Sequence, residues 1–210
     1  MEISSLIDGY ELFKDKKFKK YQNKFLDLVK NGQNPKVLFI ACSDSRVDPT
    51  LITSASPGEL FVLRNIGNFV PPFSPDDDYH ATAAGIEYAV SVLEVTDIIV
   101  CGHSHCGAIR SMYEKINSIN LVHVKKWLNL GERAKEYVAN KLSKDVSLEE
   151  KLELTERISI IFQLENLLTY PDVQKRVDEG ILYLRGWYYS LEDGELEYFN
   201  DATGEFLPMI

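Results

Sequence analysis

A chain of 210 residues is long enough to bury one sizeable hydrophobic core, and 45% hydrophobic with 26% charged residues is ordinary for a globular protein. The net charge of −9 argues against a nucleic-acid partner and against docking on an anionic membrane, since both need a basic surface. No stretch reaches the ~18 apolar residues of a membrane span, and the N-terminus lacks the features of a secretory signal. Only three cysteines are present, which favours a reducing cytoplasm over a disulfide framework.

Hydrophobic periodicity and turn residues predict strands that alternate with helices. In chain order the elements are a helix over 5–31, a strand over 36–41, a short helix opening at Pro49, a strand over 59–64, a loop over 65–78, a helix over 79–93, a strand over 96–102, a helix from Cys106, a helix over 121–144, a helix over 148–168, and strands over 181–190 and 195–199. In the helix over 148–168, the predicted apolar face consists of Leu152, Ile158, Ile161, Leu164 and Leu168.

This alternation predicts an α/β fold with a mainly parallel central sheet flanked by helices. The last two strands are joined by a turn at 192–194, so they are expected to form a hairpin that adds an antiparallel edge. We expect a single domain over 1–210, with residues of about 1–34 forming a long N-terminal helical arm.

Three residues predict a metal site. Cys42 directly follows the apolar stretch 37–41, and His103 and Cys106 follow the apolar stretch 97–101. Ligands of open α/β sheets collect outside the carboxyl ends of the strands, where all three residues are expected to lie. Two thiolates and one imidazole select zinc, and three protein ligands leave a fourth position for water, as in catalytic sites.

The second histidine of the same loop is a weaker candidate ligand. Two residues separate His103 from Cys106, so the loop can fold both side chains onto one metal ion. His105 and Cys106 are neighbours, whose side chains tend to point apart. We therefore expect His105 to pack or to hydrogen-bond.

Asp44 and Arg46 follow Cys42 by two and four residues. They could form a surface ion pair of little energetic value. Alternatively, the guanidinium grips the carboxylate in a fork geometry and keeps it ionised beside the metal. Asp44 would then accept a hydrogen bond from a water or hydroxide on the metal. The residues alone leave both interpretations open.

Five sequence motifs together resemble the β-class carbonic anhydrases. They are CSDSR at 42–46, PGELF at 57–61, RNIGN at 64–68, GIEYA at 85–89 and GHSHCG at 102–107. The resemblance is dense over residues 33–110 and continues more loosely to residues 186–187 of the last long strand.

The resemblance implies a zinc enzyme, with one Zn²⁺ per subunit, that interconverts carbon dioxide and bicarbonate through zinc-bound hydroxide. It implies zinc ligation by Cys42, His103 and Cys106, and catalytic roles for Asp44 and Arg46. It also implies a small apolar substrate pocket, formed by Gln33, Phe61, Ile66, Tyr88 and Gly107.

The resemblance further implies self-association as a dimer or tetramer. In the family the counterparts of Gln33 and Tyr88 approach from a partner subunit, and the N-terminal helix wraps its neighbour. One branch of the family has a tryptophan where this chain has Phe39, and uses it with counterparts of Arg64 and Tyr189 to bind an inhibitory bicarbonate. Phenylalanine has no indole N–H to donate, so together with Gln33 it places the chain nearer the plant-type branch.

For that branch we expect an open site at neutral pH, with water as the fourth ligand and Asp44 paired to Arg46. Three alternatives stay open at the level of the sequence. The same triad could hydrolyse carbon disulfide or carbonyl sulfide, the chain could be a non-catalytic zinc module, or Cys42 and His103 could form a metal-free nucleophile and base.

Overall fold

Six strands form one sheet within the described part of the chain, which in this computed structural model comprises residues 2–76, 78–114, 120–143 and 145–209. The strands are β1 Val37–Cys42, β2 Leu60–Asn65, β3 Asp97–His103, β4 Tyr183–Tyr189, β5 Leu196–Asn200 and β6 Glu205–Pro208. Their spatial order is β2-β1-β3-β4-β5-β6. The first three pairings in that order are parallel and the last two are antiparallel. The predicted fold class, including the antiparallel edge, is therefore confirmed.

The described helices are α1 Ile3–Leu12, α2 Phe18–Asn31, α3 Pro49–Thr53, α4 Ala81–Glu87, α5 Gly107–Tyr113, α6 Val122–Leu128, α7 Glu132–Lys141, α8 Leu148–Leu167 and α9 Pro171–Asp178. A π-helical segment, Phe13–Lys17, joins α1 to α2, so the predicted N-terminal helix is nearly continuous. Asp48 caps α3 by accepting hydrogen bonds from the first backbone amides, and Ser147 forms a capping box with Glu150 at the start of α8. No helix in the described ranges is both long enough and apolar enough to cross a bilayer.

Some elements differ from the prediction. The helix expected over 121–144 is divided into α6 and α7 by a 3₁₀ turn at Asn129–Gly131, and its expected last residue lies outside the described residues. Helix α9 and strand β6 were not predicted from the sequence. Both are short, and strand β6 has only four residues, so neither gives a strong periodic signal.

The buried face of α8 also differs from the predicted one. Leu152 is buried as expected, but Ile158, Ile161, Leu164 and Leu168 are only partly buried. The residues of α8 that are buried are Leu152, Thr155, Glu156, Ser159, Ile160, Gln163 and Leu167. The prediction failed because this face contains polar side chains, of which Glu156 and Gln163 accept hydrogen bonds from loop backbone, and hydrophobic periodicity cannot recognise them.

Helix α8 packs closely against the sheet at Gly102 of β3. A Cβ atom at this position would lie 2.8 Å from Cδ1 of Ile160 and 3.5 Å from the backbone oxygen of Glu156. A residue larger than glycine here would therefore displace the side chain of Ile160 and disturb the packing of the helix on the strand. The close approach keeps the last residues of β3 covered and buried.

We predict that Gly102→Ala destabilises the fold by about 1–3 kcal/mol, because the new methyl group overpacks the interface between α8 and β3. Ile160→Ala removes both Cδ1 and Cγ1, which lie 2.8 and 2.9 Å from that Cβ position, and is expected to cost about 2–5 kcal/mol alone. Urea unfolding at fixed protein concentration should show that the double variant loses less stability than the sum of the single variants. Strictly additive losses would contradict this packing.

Candidate metal centre

Cys42, His103 and Cys106 converge at one end of the sheet. Cys42 ends β1 and His103 ends β3, and these two strands are parallel neighbours. The two sulfur atoms and a ring nitrogen of the histidine all lie within 4.8 Å of one another, and all three residues are buried. The structure thus brings together the three residues for which the sequence predicted metal binding.

The loop between His103 and Cys106 turns sharply at His105. This residue has φ of +54°, in the left-handed region that is uncommon outside glycine. The turn brings the side chains of His103 and Cys106 to the same side, while the His105 ring points outward and contacts the carboxylate of Glu192. His105 is thus a hydrogen-bonding residue, as expected.

The backbone around the triad donates to one sulfur. Gly67 N–H lies 3.3 Å from Sγ of Cys42, in a geometry that favours a thiolate. Gly67 has φ of +77°, and a Cβ atom there would lie 2.9 Å from Cβ of Ala108. Only glycine therefore presents this N–H to Cys42 without strain or a clash.

The histidine has one nitrogen that is bonded and one that is free. Nδ1 of His103 lies 2.8 Å from the backbone oxygen of Ser104, which fixes the ring and assigns a proton to Nδ1. Nε2 is buried and has no hydrogen-bond partner among the described residues. A buried nitrogen without a partner is costly, and a metal ion would satisfy it. Two sulfurs and this nitrogen form a donor set that fits zinc.

A hydrogen bond between Cys42 and Cys106 makes one of the two thiols more acidic and the other less acidic. A hydrogen bond with Cys106 lowers the pKa of Cys42 to about 4, against the opposing effect of burial. The same hydrogen bond, followed by burial, raises the pKa of Cys106 well above its ordinary value. Burial acts to lower the pKa of His103, but the nearby thiolate of Cys42 outweighs this effect and raises the pKa. A divalent cation would displace the proton that the two sulfurs share.

Asp44 and Arg46 form a bidentate ion pair beside the triad. Nε and Nη2 of Arg46 donate to the two carboxylate oxygens of Asp44 at 2.9 and 2.8 Å, and the backbone N–H of Arg46 donates at 3.0 Å. Nη2 also donates to the backbone oxygen of His105 at 3.0 Å. The hydrogen bond from the Arg46 side chain holds the pKa of Asp44 well below its ordinary value. Asp44 is thus an ionised acceptor tied to both loops of the site.

Arg64 has a role that the sequence analysis did not assign. Its Nε donates to the backbone oxygen of Cys42 at 3.0 Å, and its Nη2 donates to that of Asp44 at 2.7 Å. The guanidinium therefore holds the loop that carries Cys42 and Asp44. Phe39 is fully buried and packs edge-on against Trp187, with ring centroids 5.8 Å apart.

The residues expected to line the substrate pocket fall into two groups within one chain. Ile66 precedes Gly67, and Gly107 follows Cys106, so both lie beside the triad. Phe61 instead stacks on Tyr88, with ring centroids 5.9 Å apart, and pairs with Leu38 in the sheet. Leu38 is four residues before Cys42, so this aromatic pair lies roughly 13 Å along the sheet from the triad of the same chain.

The exposure of these residues agrees with that division. Tyr88 is 44% exposed and Ile66 is 47% exposed, although both are large apolar side chains. Gln33 lies in the exposed segment between α2 and β1. One chain alone therefore does not bring Gln33, Phe61 and Tyr88 together with the triad.

A cavity of about 360 Å³ lies between α8 and the hairpin of β4 and β5, and Cys106 forms part of its lining. Its walls carry seven carboxylates, from Glu149, Glu153, Glu156, Glu192, Asp193, Glu195 and Glu197. Such a lining does not suit a small apolar substrate, and it includes none of the expected pocket residues.

Glu156 and Glu192 hold the loop from His103 to Cys106, and both escaped the sequence analysis. Glu156 accepts a hydrogen bond of 2.9 Å from the backbone N–H of Cys106. Glu192 accepts one of 2.7 Å from the hydroxyl of Ser104, which lowers the pKa of Glu192 to about 2. Ser104 also accepts from the backbone N–H of Leu191 at 2.8 Å. Both glutamates lie far from the triad in sequence, without a motif that marks them.

Comparison with known proteins agrees with this geometry. The family model described as carbonic anhydrase matches residues 37–196. A carbonic anhydrase of Synechocystis sp. is 40% identical over 207 residues, which cover 98% of this chain and 74% of the relative.

Solved structures show the same relationship. The β-carbonic anhydrase CcaA superposes with a TM-score of 0.91 at 38% identity, over 99% of this chain and 92% of that one. A β-carbonic anhydrase of Sordaria macrospora, described as tetrameric, superposes with a TM-score of 0.82 at 28% identity, over 94% of this chain and 96% of that one.

The fold and the site together define an α/β protein with a buried Cys–His–Cys centre at the carboxyl ends of parallel strands. With the matches in sequence and structure, the chain belongs to the carbonic anhydrase family, in its β class.

We predict that Arg46→Gln raises the pKa of Asp44 toward the ordinary value of about 4, because the charged hydrogen bonds to the carboxylate are lost. A carboxyl group whose pKa is lower in the folded than in the unfolded state stabilises the fold at any pH above its unfolded-state pKa. This stabilisation is lost as the pH falls from the unfolded-state pKa to the folded-state pKa. Urea unfolding at several pH values should therefore show that wild type and variant differ in the free energy of unfolding by a constant amount above about pH 5. This difference should shrink below about pH 4.

Arg110→Gln is the matched control, since it removes an exposed ion pair, Arg110–Glu114, elsewhere on the surface. Its effect should be small at every pH. If the loss of unfolding free energy caused by Arg46→Gln is the same at about pH 6 and about pH 3, Arg46 does not lower the pKa of Asp44.

Proposed function

We propose that this protein is a zinc enzyme that catalyses the reversible hydration of carbon dioxide to bicarbonate and a proton. The single observation that carries the proposal is the buried convergence of Cys42, His103 and Cys106 beside the ion pair of Asp44 and Arg46. The similarity to carbonic anhydrases over nearly the whole chain supports the same reaction, rather than hydrolysis of carbon disulfide.

In this proposal Cys42, His103 through Nε2, and Cys106 hold the metal. Zinc, when bound, lowers the pKa of a water ligand toward neutrality and so supplies a nucleophile at physiological pH. Residues of the chain perform the other roles in the reaction. Asp44 is ionised and has no proton to donate, so it acts as an acceptor that orients the attacking group. Arg46 keeps Asp44 ionised and turned toward the site by gripping both of its oxygens.

The proposed substrate pocket is small and apolar, as an uncharged linear molecule requires. Ile66 and Gly107 line it from the chain that holds the metal. Gln33, Phe61 and Tyr88 line it from a second copy of the chain, and Gln33 donates a hydrogen bond to a substrate oxygen. This division is supported by the distance along the sheet between Phe61 and Cys42 and by the exposure of Tyr88.

We therefore propose a homodimer as the smallest active unit, two of which form a tetramer; the Sordaria macrospora relative is itself described as tetrameric. The exposed apolar residues of α1 support association, because they have no partner surface within the described chain. These residues are Ile3, Leu6, Ile7 and Tyr10. In this proposal the domain over 1–210 uses its arm of about 1–34 to wrap the neighbouring subunit.

We also propose a cytoplasmic location. All three cysteines are free and buried, and burial raises the pKa of Cys101 to about 12. Three free thiols, of which two face each other, suit a reducing compartment.

We predict that Asp44→Asn keeps one zinc per chain but loses about 100-fold or more in the rate of carbon dioxide hydration, because the neutral amide no longer acts as an ionised acceptor. Stopped-flow hydration and metal analysis of the same sample measure both effects. Asp48→Asn is the matched control, since Asp48 caps α3 and asparagine caps a helix equally well. Loss of zinc from Asp44→Asn would instead make Asp44 a structural ligand.

A second prediction tests the shared pocket. Cys42→Ser disables the metal site of its own chain, whereas Tyr88→Ala disables the pocket that its chain offers to the partner. Mixed dimers of these two variants, purified through two different tags, should recover about half of the wild-type hydration rate, since one of the two sites is intact.

The reciprocal control places both substitutions in one chain and pairs that chain with wild type. If the pocket is shared, both sites of this dimer are damaged and little activity remains. If each chain instead contains its whole site, the pattern reverses: the first dimer is inactive and the second keeps half of the activity.

A further inference from the structure

Helix α8 buries a carboxyl group directly behind the proposed metal centre. Glu156 is 5% exposed, although it lies on a helix whose opposite face is open to solvent. Its Oε1 accepts a hydrogen bond of 2.9 Å from the backbone N–H of Cys106, and its Oε2 accepts one of 2.9 Å from the hydroxyl of Tyr188. Burial raises the pKa of Glu156, so its place in the core has an energetic cost.

The hydrogen bond to Cys106 acts at a point where the chain lacks regular structure. Strand β3 ends at His103 and helix α5 begins at Gly107, with Cys106 in an extended conformation between them. The backbone N–H of Cys106 therefore belongs to neither the sheet ladder nor the helix. Because the peptide unit is planar, an acceptor that fixes this N–H also restrains the position of the Cα atom of Cys106, from which the side chain with Sγ extends.

Residues of the sheet fix the position of the Glu156 carboxyl group. Tyr188 lies on β4, and the guanidinium of Arg157 lies over its ring at 3.9 Å from the centroid. Arg157 in turn donates to both carboxylate oxygens of Glu197 on β5, at 2.9 and 3.0 Å. A continuous chain of contacts thus runs from the antiparallel edge of the sheet to the backbone of Cys106.

We propose that Glu156 is a positioning residue for the metal centre, which holds Cys106 at the angle and distance required for ligation. The proposal rests on the proposed zinc site and goes beyond it, because Glu156 is neither a proposed zinc ligand nor a proposed pocket residue. Hydrogen-bond partners of ligand residues typically change metal affinity by about 10–100-fold when they are removed.

Two substitutions separate the hydrogen bond from the bulk of the side chain. Glu156→Met fills similar space but offers no acceptor to Cys106. Glu156→Gln keeps an acceptor at the same place, and its amide group can donate to the oxygen of Tyr188. Zinc affinity is measured by competition with a chromophoric chelator, and the cobalt-substituted protein reports thiolate ligation through its charge-transfer absorption.

Gln163→Met is the matched control, on the same buried face of α8. Gln163 is fully buried and accepts a hydrogen bond of 2.8 Å from the backbone N–H of Val70. Its loss also leaves one backbone N–H without an acceptor, but at a segment that holds no proposed ligand. Both methionine variants should therefore lose stability, and only one should lose metal affinity.

We expect Glu156→Met to bind zinc about 10–100-fold more weakly than wild type, with an altered cobalt spectrum. Glu156→Gln and Gln163→Met should stay close to wild type in both measurements. Wild-type affinity in Glu156→Met, equal weakening in Gln163→Met, or equal weakening in Glu156→Gln would each overturn the proposal. If Glu156→Met does not fold, Glu156→Asp decides, because its shorter carboxylate should weaken zinc binding and an unchanged affinity would overturn the proposal. Failure of the wild-type protein to bind zinc would instead overturn the proposed function.

Discussion

The parallel pairing of β1 with β3 is the constraint on which the site depends. Ala41 lies opposite Cys101 in this ladder, so Cys42 and His103, the last residues of the two strands, lie close together at the same end of the sheet. A slip of one residue would turn every side chain of a strand to the other face of the sheet. Strands β1 and β3 are buried on both faces, and the close packing of Ile160 against Gly102 helps to secure the register.

A buried polar centre also requires its surroundings to supply hydrogen bonds. Gly67 donates to one sulfur, Arg64 holds the carbonyl oxygens of the loop at Cys42, and Glu156 holds the backbone of Cys106. These contacts come from β2, from the turn that follows it and from α8. Elements distant in sequence therefore restrain both ligand-bearing loops, and this rigidity allows three side chains to form one site without a closing fourth ligand.

The fold and the convergence of Cys42, His103 and Cys106 could be predicted from the sequence because both follow local rules. Apolar strand runs such as 37–41 give a strong signal, and ligands placed directly after them are expected to meet at one edge of the sheet. Glu156 and Arg64 could not be recognised in this way, because their partners are backbone atoms that only the tertiary structure brings near. The face of α8 was misassigned for the same reason, since its polar residues are buried by contacts with distant loops.

The triad, the ion pair of Asp44 and Arg46 and the family relationship all lead to one central claim, that bound zinc makes this chain hydrate carbon dioxide. The most direct test measures metal content and stopped-flow hydration on the same sample before chelation, after chelation and after zinc is restored. We predict one zinc per chain, loss of hydration with loss of the metal, and recovery when zinc returns. Full hydration by the metal-free protein, or a zinc-loaded protein that turns over carbon disulfide but not carbon dioxide, would contradict the claim.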